Sequence, residues 1–189
     1  MQIIPFIRAG LLAATFIVAS SLQADEVGLK VGAKAPAFHL INQDGKEISL
    51  SELTTKHDKV ALAFYRSADW CPHCQRQLTG LQKELESIEQ AGVKLVGISY
   101  DPVEVLDRFS KKQNIGYTLL SDPGSKTIDA YKVRNMQVRP GRAEGIPHPT
   151  IFLVNNKGII AAKLREESYR DRPTVEEIVA AAKAMDAET

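Results

Sequence analysis

The chain has 189 residues, of which 44% are hydrophobic and 25% are charged, and both values are ordinary for a globular protein. This length suffices for one domain with a sizeable core and argues against two. Lys and Arg number 24 against 23 for Asp and Glu, so the composition gives no support for nucleic-acid binding or for an acidic tail.

The N-terminus has the pattern of a secretory signal peptide. Arg8 precedes an uncharged run over 9–24 whose apolar part, LLAATFIVA, is short for a membrane span, which needs roughly 20 apolar residues. The pattern predicts cleavage after Ala24, and an uncleaved N-terminal anchor is the alternative. We therefore expect a signal peptide over 1–24 and one folded domain over 25–189. That domain would be periplasmic or secreted, with no stable membrane association after cleavage.

Strand and helix patterns alternate along the rest of the chain. The predicted strands are a hairpin over 38–50, then 59–65, 93–101, 117–122, and a second hairpin over 150–164. The predicted helices are 72–90, one that begins at 101–102 with Asp101 as N-cap, 125–133, and about 175–186 with a capping box at its start. Residues 134–149, rich in Arg, Gly and Pro, are the least regular internal stretch. This order predicts an α/β fold with a mixed sheet and helices on both faces.

The only two cysteines, Cys71 and Cys74, lie where a predicted strand gives way to a predicted helix, with Pro72 and His73 between them. Free N–H groups and the positive end of the helix dipole at such a helix start favour thiolate over thiol. We expect Cys71 to be the exposed nucleophile and Cys74, one turn along, to be the buried resolving residue. His73 would support the thiolate with a hydrogen bond or a positive charge, and Trp70 and Pro72 would shape the docking surface.

Three other interpretations of the cysteine pair have less support. A structural zinc site needs four ligands, and only two cysteines and four scattered histidines are present. A structural disulfide across so short a loop constrains the unfolded chain little. Two inert core thiols do not fit a helix start beside Pro and His. The position therefore favours a redox pair that needs neither a metal nor a cofactor.

Several separated segments resemble the redoxin, or AhpC/TSA (peroxiredoxin-like), family of the thioredoxin-like superfamily. They are FYRSADWCPHCQRQL, VKLVGISYD, LLSD and PTIFLVNNKGII, preceded by GAKAPAFHLINQDGKEISLSEL, which is similar to the family's N-terminal hairpin. The resemblance covers about residues 28–185. It implies a thioredoxin fold, with a mixed central sheet flanked by helices and an N-terminal β-hairpin extension. It also implies a cis-proline at Pro149, with His148 beside it, before the strand that faces the cysteines.

Two features depart from the patterns of related families. The segment ALAFY lacks the buried acid that many thioredoxins use as a proton acceptor for the second cysteine. Peroxiredoxins carry the pattern Pro-x-x-x-Thr-x-x-Cys around their active site. If Cys74 is aligned with the peroxidatic cysteine of that pattern, Cys71 takes the place of the Thr. The arginine that peroxide reduction uses beside the thiolate would come from Arg66, Arg139 or Arg142.

Three functions are open at this point. The leading expectation is an exported thiol–disulfide oxidoreductase that exchanges disulfides with partner proteins and with an electron-donor or acceptor redox protein. The alternative is a peroxiredoxin-like thiol peroxidase, an antioxidant in which a sulfenic acid formed on one cysteine condenses with the other. A redox-regulated binding or assembly factor is a further, non-enzymatic alternative.

Overall fold

A seven-stranded mixed sheet forms the centre of the structure, a computed structural model that describes residues 26–187. The strands are β1 (His39–Asn42), β2 (Glu47–Ser49), β3 (Lys59–Phe64), β4 (Val93–Ser99), β5 (Thr118–Ser121), β6 (Thr150–Asn155) and β7 (Ile160–Leu164). The helices are α1 (Leu50–Lys56), α2 (Pro72–Lys83), α3 (Leu85–Gln90), α4 (Val103–Gln113), α5 (Lys126–Ala130) and α6 (Val175–Ala187). The strand order is β2-β1-β5-β4-β3-β6-β7.

Strand direction and helix packing agree with the predicted fold class. The central strands β3, β4 and β5 run parallel, while the pairs on either side of them are antiparallel. Helices α2, α3, α4 and α6 cover one face, and α1 and α5 cover the other. The α/β class, the mixed sheet, the helices on both faces and the N-terminal hairpin are therefore confirmed.

Strand β3 precedes the loop that leads to the cysteine pair, and it lies in the buried centre of the sheet. All six of its residues are buried, and they alternate between the two cores: Ala61 and Ala63 face one, Leu62 and Phe64 the other. Burying a large apolar side chain such as that of Leu62 is worth about 1.5–3 kcal/mol. The loop that follows β3 therefore starts from a firmly anchored point.

The helix predicted over 72–90 is divided in two. Helix α2 ends at Lys83 and α3 begins at Leu85, because Glu84 adopts φ −106° and ψ 17°, outside the helical region. The apolar residues on both sides of the break, Leu81 and Ile88 among them, still pack against the sheet.

Two predictions at the N-terminus remain untested. Residues 1–24, the predicted signal peptide, lie outside the described residues, so cleavage and export stay predictions. Over 26–187, none of the helices combines the length and the apolar character that crossing a bilayer requires.

Candidate active site

The cysteine pair lies at the start of α2, as predicted. Cys71 is the N-cap of this helix, its Sγ accepts the backbone N–H of Cys74 at 3.3 Å, and Pro72 occupies the first turn. The two cysteines form a disulfide with a Cα–Cα distance of 5.3 Å. One helical turn thus brings both sulfurs to the exposed backbone N–H groups of the helix start.

Cys71 is not the exposed member of the pair in this disulfide-bonded state. Cys71 is 1% exposed and Cys74 is 0% exposed, so the predicted contrast between an exposed and a buried cysteine is wrong here. The reason is that both side chains belong to the core on the α2 face of the sheet, and Trp70 packs against this core. Pro72 alone of this short motif is well exposed.

Arg172 makes the contact with the pair that the sequence analysis missed. Its Nη2 donates to Cys74 Sγ at 3.7 Å, and its Nε donates to the side chain of Gln77 on α2 at 2.9 Å. Burial, together with the nearby charges of Arg66 and Arg76, lowers the pKa of Arg172 to about 10, so the guanidinium stays charged at neutral pH. A full positive charge therefore lies against the Cys74 sulfur.

The arginines that the sequence analysis named lie elsewhere around the site. Arg66 lies over the rings of Trp70, at 5.2 Å, and Tyr169, at 4.7 Å. Arg142 forms an ion pair with Asp69 and lies 5.8 Å from the Trp70 ring. Arg139 is exposed in the irregular stretch over 134–149. Of these three, Arg66 is the one that also acts electrostatically on Arg172.

His73 does not support the cysteines as predicted. Its Nδ1 accepts from Arg76 Nη2 at 2.9 Å, and its ring meets that of Tyr169 edge-on at 5.8 Å. Partial burial and the charges of Arg76, Arg172 and Arg170 lower the pKa of His73, so it is neutral at pH 7. Among the described residues the hydrogen bonds of its side chain do not include either sulfur. The expected positive charge comes from Arg172 instead.

Trp70 is held on the side of the site that faces the 134–149 stretch. Its Nε1 donates to Tyr100 Oη at 2.8 Å, and that hydroxyl donates to the carbonyl of Arg142 at 2.6 Å. The indole is thereby fixed between the guanidinium groups of Arg66 and Arg142. This places Trp70 as a wall of the site, which agrees with its predicted part in shaping the surface.

Pro149 and His148 lie at the entrance to β6, next to the end of β3. Thr150, which follows Pro149, pairs with Phe64, the last residue of β3. The predicted cis peptide at Pro149 is wrong, because every peptide bond over 26–187 is trans. The chain is already extended here: His148 N–H donates to Val133 O at 2.7 Å, and trans is the cheaper isomer by about 0.5–1 kcal/mol.

Arg165, which follows β7 directly, acts electrostatically on His148. His148 is half-buried, and burial together with the charge of Arg165 lowers its pKa. Both effects favour the neutral imidazole at pH 7.

Asp101 is a buried acid that anchors the loop before the cysteines. Its carboxylate accepts from Ser67 Oγ at 2.8 Å, from the N–H of Ala68 at 2.7 Å and from Ser99 Oγ at 2.9 Å. The prediction that Asp101 caps α4 is wrong: Pro102 is the N-cap, and the Asp101 side chain turns back towards the loop. Strand β3 holds no acid, as the sequence shows, and Asp101, just after β4, is the buried acid that holds the loop leading to the cysteines.

We expect Asp101→Ala to lower the free energy of unfolding by about 3 kcal/mol, because it leaves three buried donors without their acceptor. Burial raises the pKa of Asp101, so the folded state holds the proton more tightly than the unfolded state. The stability that Asp101 contributes is then greatest at low pH, and the gap between wild type and variant should narrow from pH 4 to pH 7.

Urea denaturation at several pH values measures this difference. Asp107→Ala on α4 is the matched control, since that carboxylate makes a surface pair with Lys111, and it should cost less than about 1 kcal/mol. Equal losses from the two variants would contradict the anchoring role of Asp101.

Comparison with known proteins decides the family. Residues 31–163 match the family model of the AhpC/TSA family. The chain belongs to the AhpC/TSA family. Peroxiredoxin Bcp of Escherichia coli strain K12 is 33% identical over 132 residues, which cover 70% of this chain and 83% of that protein. The chloroplastic peroxiredoxin Q of Triticum aestivum is 34% identical over 130 residues, 68% of this chain and 56% of that protein.

Solved structures of peroxiredoxins share the fold of this chain. The crystal structure of peroxidoxin BcpB from Mycobacterium tuberculosis has a TM-score of 0.71 at 22% identity and covers 85% of this chain and 99% of that one. The reduced 2-Cys peroxiredoxin of Plasmodium vivax has a TM-score of 0.72 at 25% identity, with 84% and 82% covered. The thioredoxin fold is confirmed, and the chain is an oxidoreductase of the AhpC/TSA family. These relatives favour the peroxiredoxin alternative over disulfide exchange with partner proteins.

Proposed function

We propose that this chain is a thiol peroxidase that reduces hydroperoxides with the Cys71/Cys74 pair. The observation that carries the proposal is the Arg172 guanidinium, which donates to Cys74 Sγ at 3.7 Å. A positive donor against a sulfur favours the thiolate, which is the form that attacks peroxide. The same donor stabilises charge that develops on the oxygens of the peroxide as the O–O bond breaks. Membership of the AhpC/TSA family and the peroxiredoxin relatives support this function.

In the oxidation steps each cysteine acts once as a nucleophile. The Cys74 thiolate attacks one oxygen of the hydroperoxide, the O–O bond breaks, and the other oxygen takes a proton and leaves as an alcohol or as water. Cys74 is then a sulfenic acid. The Cys71 thiolate attacks this sulfur, the hydroxyl group leaves as water, and the disulfide of the structure forms. Two thiols are oxidised and one hydroperoxide is reduced.

A thiol reductant completes the cycle. Its thiolate attacks Cys71 and forms a mixed disulfide there, so Cys74 is the attacking cysteine and Cys71 the resolving one, the reverse of the roles expected from the sequence. The S–S bond breaks and Cys74 leaves as the thiolate beside Arg172. A second thiol then releases Cys71. Cys74 is thus a thiolate both when it attacks the peroxide and when it leaves the disulfide, and the guanidinium of Arg172 lies beside it at both steps.

Mixing the reduced protein with hydrogen peroxide in a stopped-flow instrument tests the function. Trp70, the single tryptophan of the chain and the neighbour of Cys71, reports the change of redox state through its fluorescence. We expect one equivalent of peroxide to be consumed, with the loss of two thiols. A reaction no faster than that of free cysteine, alongside rapid exchange with a model disulfide, would favour disulfide exchange over peroxide reduction as the function.

We further propose that residues 1–24 direct the domain out of the cytoplasm, on the basis of the sequence pattern described above. The full-length chain expressed in a Gram-negative bacterium should yield a mature form that begins at Asp25 in the periplasmic fraction. Mass spectrometry of the fractionated protein checks both points. A full-length protein that stays in the cytoplasmic fraction would overturn this proposal without touching the peroxidase chemistry.

A further inference from the structure

Four arginines lie near the cysteine motif, where α2 faces the segment between β7 and α6, and one of them, Arg172, contacts the disulfide. We call them the arginine cluster: Arg66, Arg76, Arg170 and Arg172. Three kinds of contact bring them together. Arg172 contacts Cys74, Arg76 contacts His73, and Arg66 and Arg170 lie 4.7 Å and 5.7 Å from the centre of the Tyr169 ring.

The arginine cluster is not balanced by acidic partners. Within 26–187, none of its four members takes part in an ion pair. The charge of Asp171 acts on Arg170 and Arg172, and its backbone carbonyl accepts from Arg172 Nη1 at 2.7 Å, but its carboxylate forms no ion pair with either arginine in the described part of the chain. The Nε of Arg66 is buried and lacks any hydrogen-bond partner in this part of the chain. Arg142, in contrast, has an acidic partner, since it shares the carboxylate of Asp69 with Arg108.

An anion would stabilise the arginine cluster, because its like charges lie close together without an ion-pair partner among residues 26–187. The charges of Arg66 and Arg76 help to lower the pKa of Arg172, and Arg76, Arg172 and Arg170 all act on His73 in the same sense. Arg76 and Arg170 are exposed, so a ligand in solvent reaches them directly. Guanidinium groups pair with carboxylates through two parallel hydrogen bonds, a match that ammonium groups do not offer.

The structure holds the oxidised pair, whose chemical partner is a reducing thiolate. We propose that the arginine cluster binds the carboxylate of a small anionic thiol and so selects the reductant of the Cys71–Cys74 disulfide. This inference rests on the proposed function, because it names the class of molecule that closes the catalytic cycle. The carboxylate pairs with Arg76 and Arg170 at the surface while the thiolate approaches the disulfide.

The redox step balances with two molecules of thiol. The first thiolate attacks Cys71 Sγ, the S–S bond breaks, and Cys74 leaves as a thiolate beside Arg172. The second thiolate attacks the sulfur of the first in the mixed disulfide and releases Cys71 as a thiolate. The two thiols become one small-molecule disulfide, and their two protons are available to the reduced cysteines.

Three thiols of similar size that differ in charge provide the test: mercaptopropionate, mercaptoethanol and cysteamine. The oxidised protein is mixed with each, and the reduction rate is followed through Trp70 fluorescence and compared at equal thiolate concentration. We expect mercaptopropionate to react roughly tenfold faster than mercaptoethanol at low salt, with cysteamine the slowest. The advantage should fade at about 0.5 M salt, where charges are screened. Equal rates for the three thiols would overturn the proposal.

Arg76→Gln/Arg170→Gln is the variant that isolates the arginine cluster, because both side chains are exposed and removing them leaves Arg172 in contact with Cys74. We expect it to remove most of the preference for mercaptopropionate, because the rate with mercaptoethanol, whose thiolate carries one negative charge in place of two, falls by a smaller factor. Lys111→Gln on α4 removes a matched surface charge and should keep the full preference. A preference unchanged in the double variant, or lost in Lys111→Gln, would contradict the proposal.

Two further measurements separate this inference from the peroxidase function. Peroxide consumption by the reduced protein tests the function alone. If the protein consumed no peroxide but still showed a clear preference for the anionic thiol, the peroxidase function would be contradicted and the carboxylate site would still be supported. The hydroperoxide of a fatty acid and tert-butyl hydroperoxide, each mixed with the reduced protein, test whether the cluster selects the oxidant instead. A charge preference confined to the fatty-acid hydroperoxide would show that the cluster does not select the reductant.

Discussion

Cys74→Ser is expected to abolish rapid peroxide consumption, whereas Cys71→Ser keeps a single turnover and stops at the sulfenic acid. The reason is the contact between Arg172 and Cys74 Sγ, since among residues 26–187 Cys71 Sγ accepts only the backbone N–H of Cys74. With Cys71 gone, the first step proceeds but no thiolate is present to condense with the sulfenic acid. Stopped-flow measurement of peroxide loss, with mass spectrometry of dimedone-trapped protein, distinguishes the two variants.

The double variant Cys71→Ser/Cys74→Ser sets the background of this experiment. Serine is close in size to cysteine, so the buried site is retained and a lost rate reports chemistry. A fast, complete reaction in Cys74→Ser and none in Cys71→Ser would assign peroxide attack to Cys71. Rapid consumption by the double variant would place the reaction outside the cysteine pair and overturn the proposed function.

The position of the cysteine pair follows from local sequence signals. The continuous apolar run of β3, the Pro at the start of α2 and the three- and four-residue spacing of Leu78, Leu81 and Leu85 are each visible in the chain. Strand and helix together fix where Cys71 must lie. For this reason the fold class, the hairpins and the helix start at the redox pair were all predictable without coordinates.

The arginine that contacts the pair was not predictable in the same way. Arg172 is 98 residues from Cys74 and lies in a segment without periodicity between β7 and α6. No spacing rule connects it to α2, because the contact depends on how the last helix returns across the sheet. The one available signal was the lack of a periodic pattern. The segment ESYRDRP holds two arginines and a proline but shows neither a helix nor a strand pattern.

The predictions that were wrong at single residues share a cause. Asp101 satisfies the rule for an N-cap, yet three donors from the neighbouring loop and strand compete for its carboxylate and determine its direction. His73 lies between the cysteines in sequence, yet Arg76, one turn along α2, takes its Nδ1. Local preference identified the residue types correctly in both cases, and tertiary partners determined what each side chain contacts.

Arg172→Gln is expected to slow peroxide consumption by about 10²–10³-fold, the usual cost of removing one preorganised donor from a reacting centre. Glutamine retains a donor but removes the positive charge from the Cys74 sulfur. Less thiolate then forms at neutral pH, so the rate should recover partly as pH rises. The rate should therefore fall, and its rise with pH should move to higher pH. Stopped-flow rates between pH 5 and 9 measure both effects.

Arg172→Lys separates charge from geometry. Lysine keeps the charge but lacks the Nε that donates to Gln77, so the cation is less well fixed beside Cys74. We expect it to restore the pH profile while the rate stays several-fold low. Arg139→Gln, which removes an exposed arginine of the 134–149 stretch, is the matched control and should change neither quantity. If Arg172→Gln merely lowered the unfolding free energy and left the profile in place, Arg172 would be holding the last helix against α2 and not stabilising the thiolate.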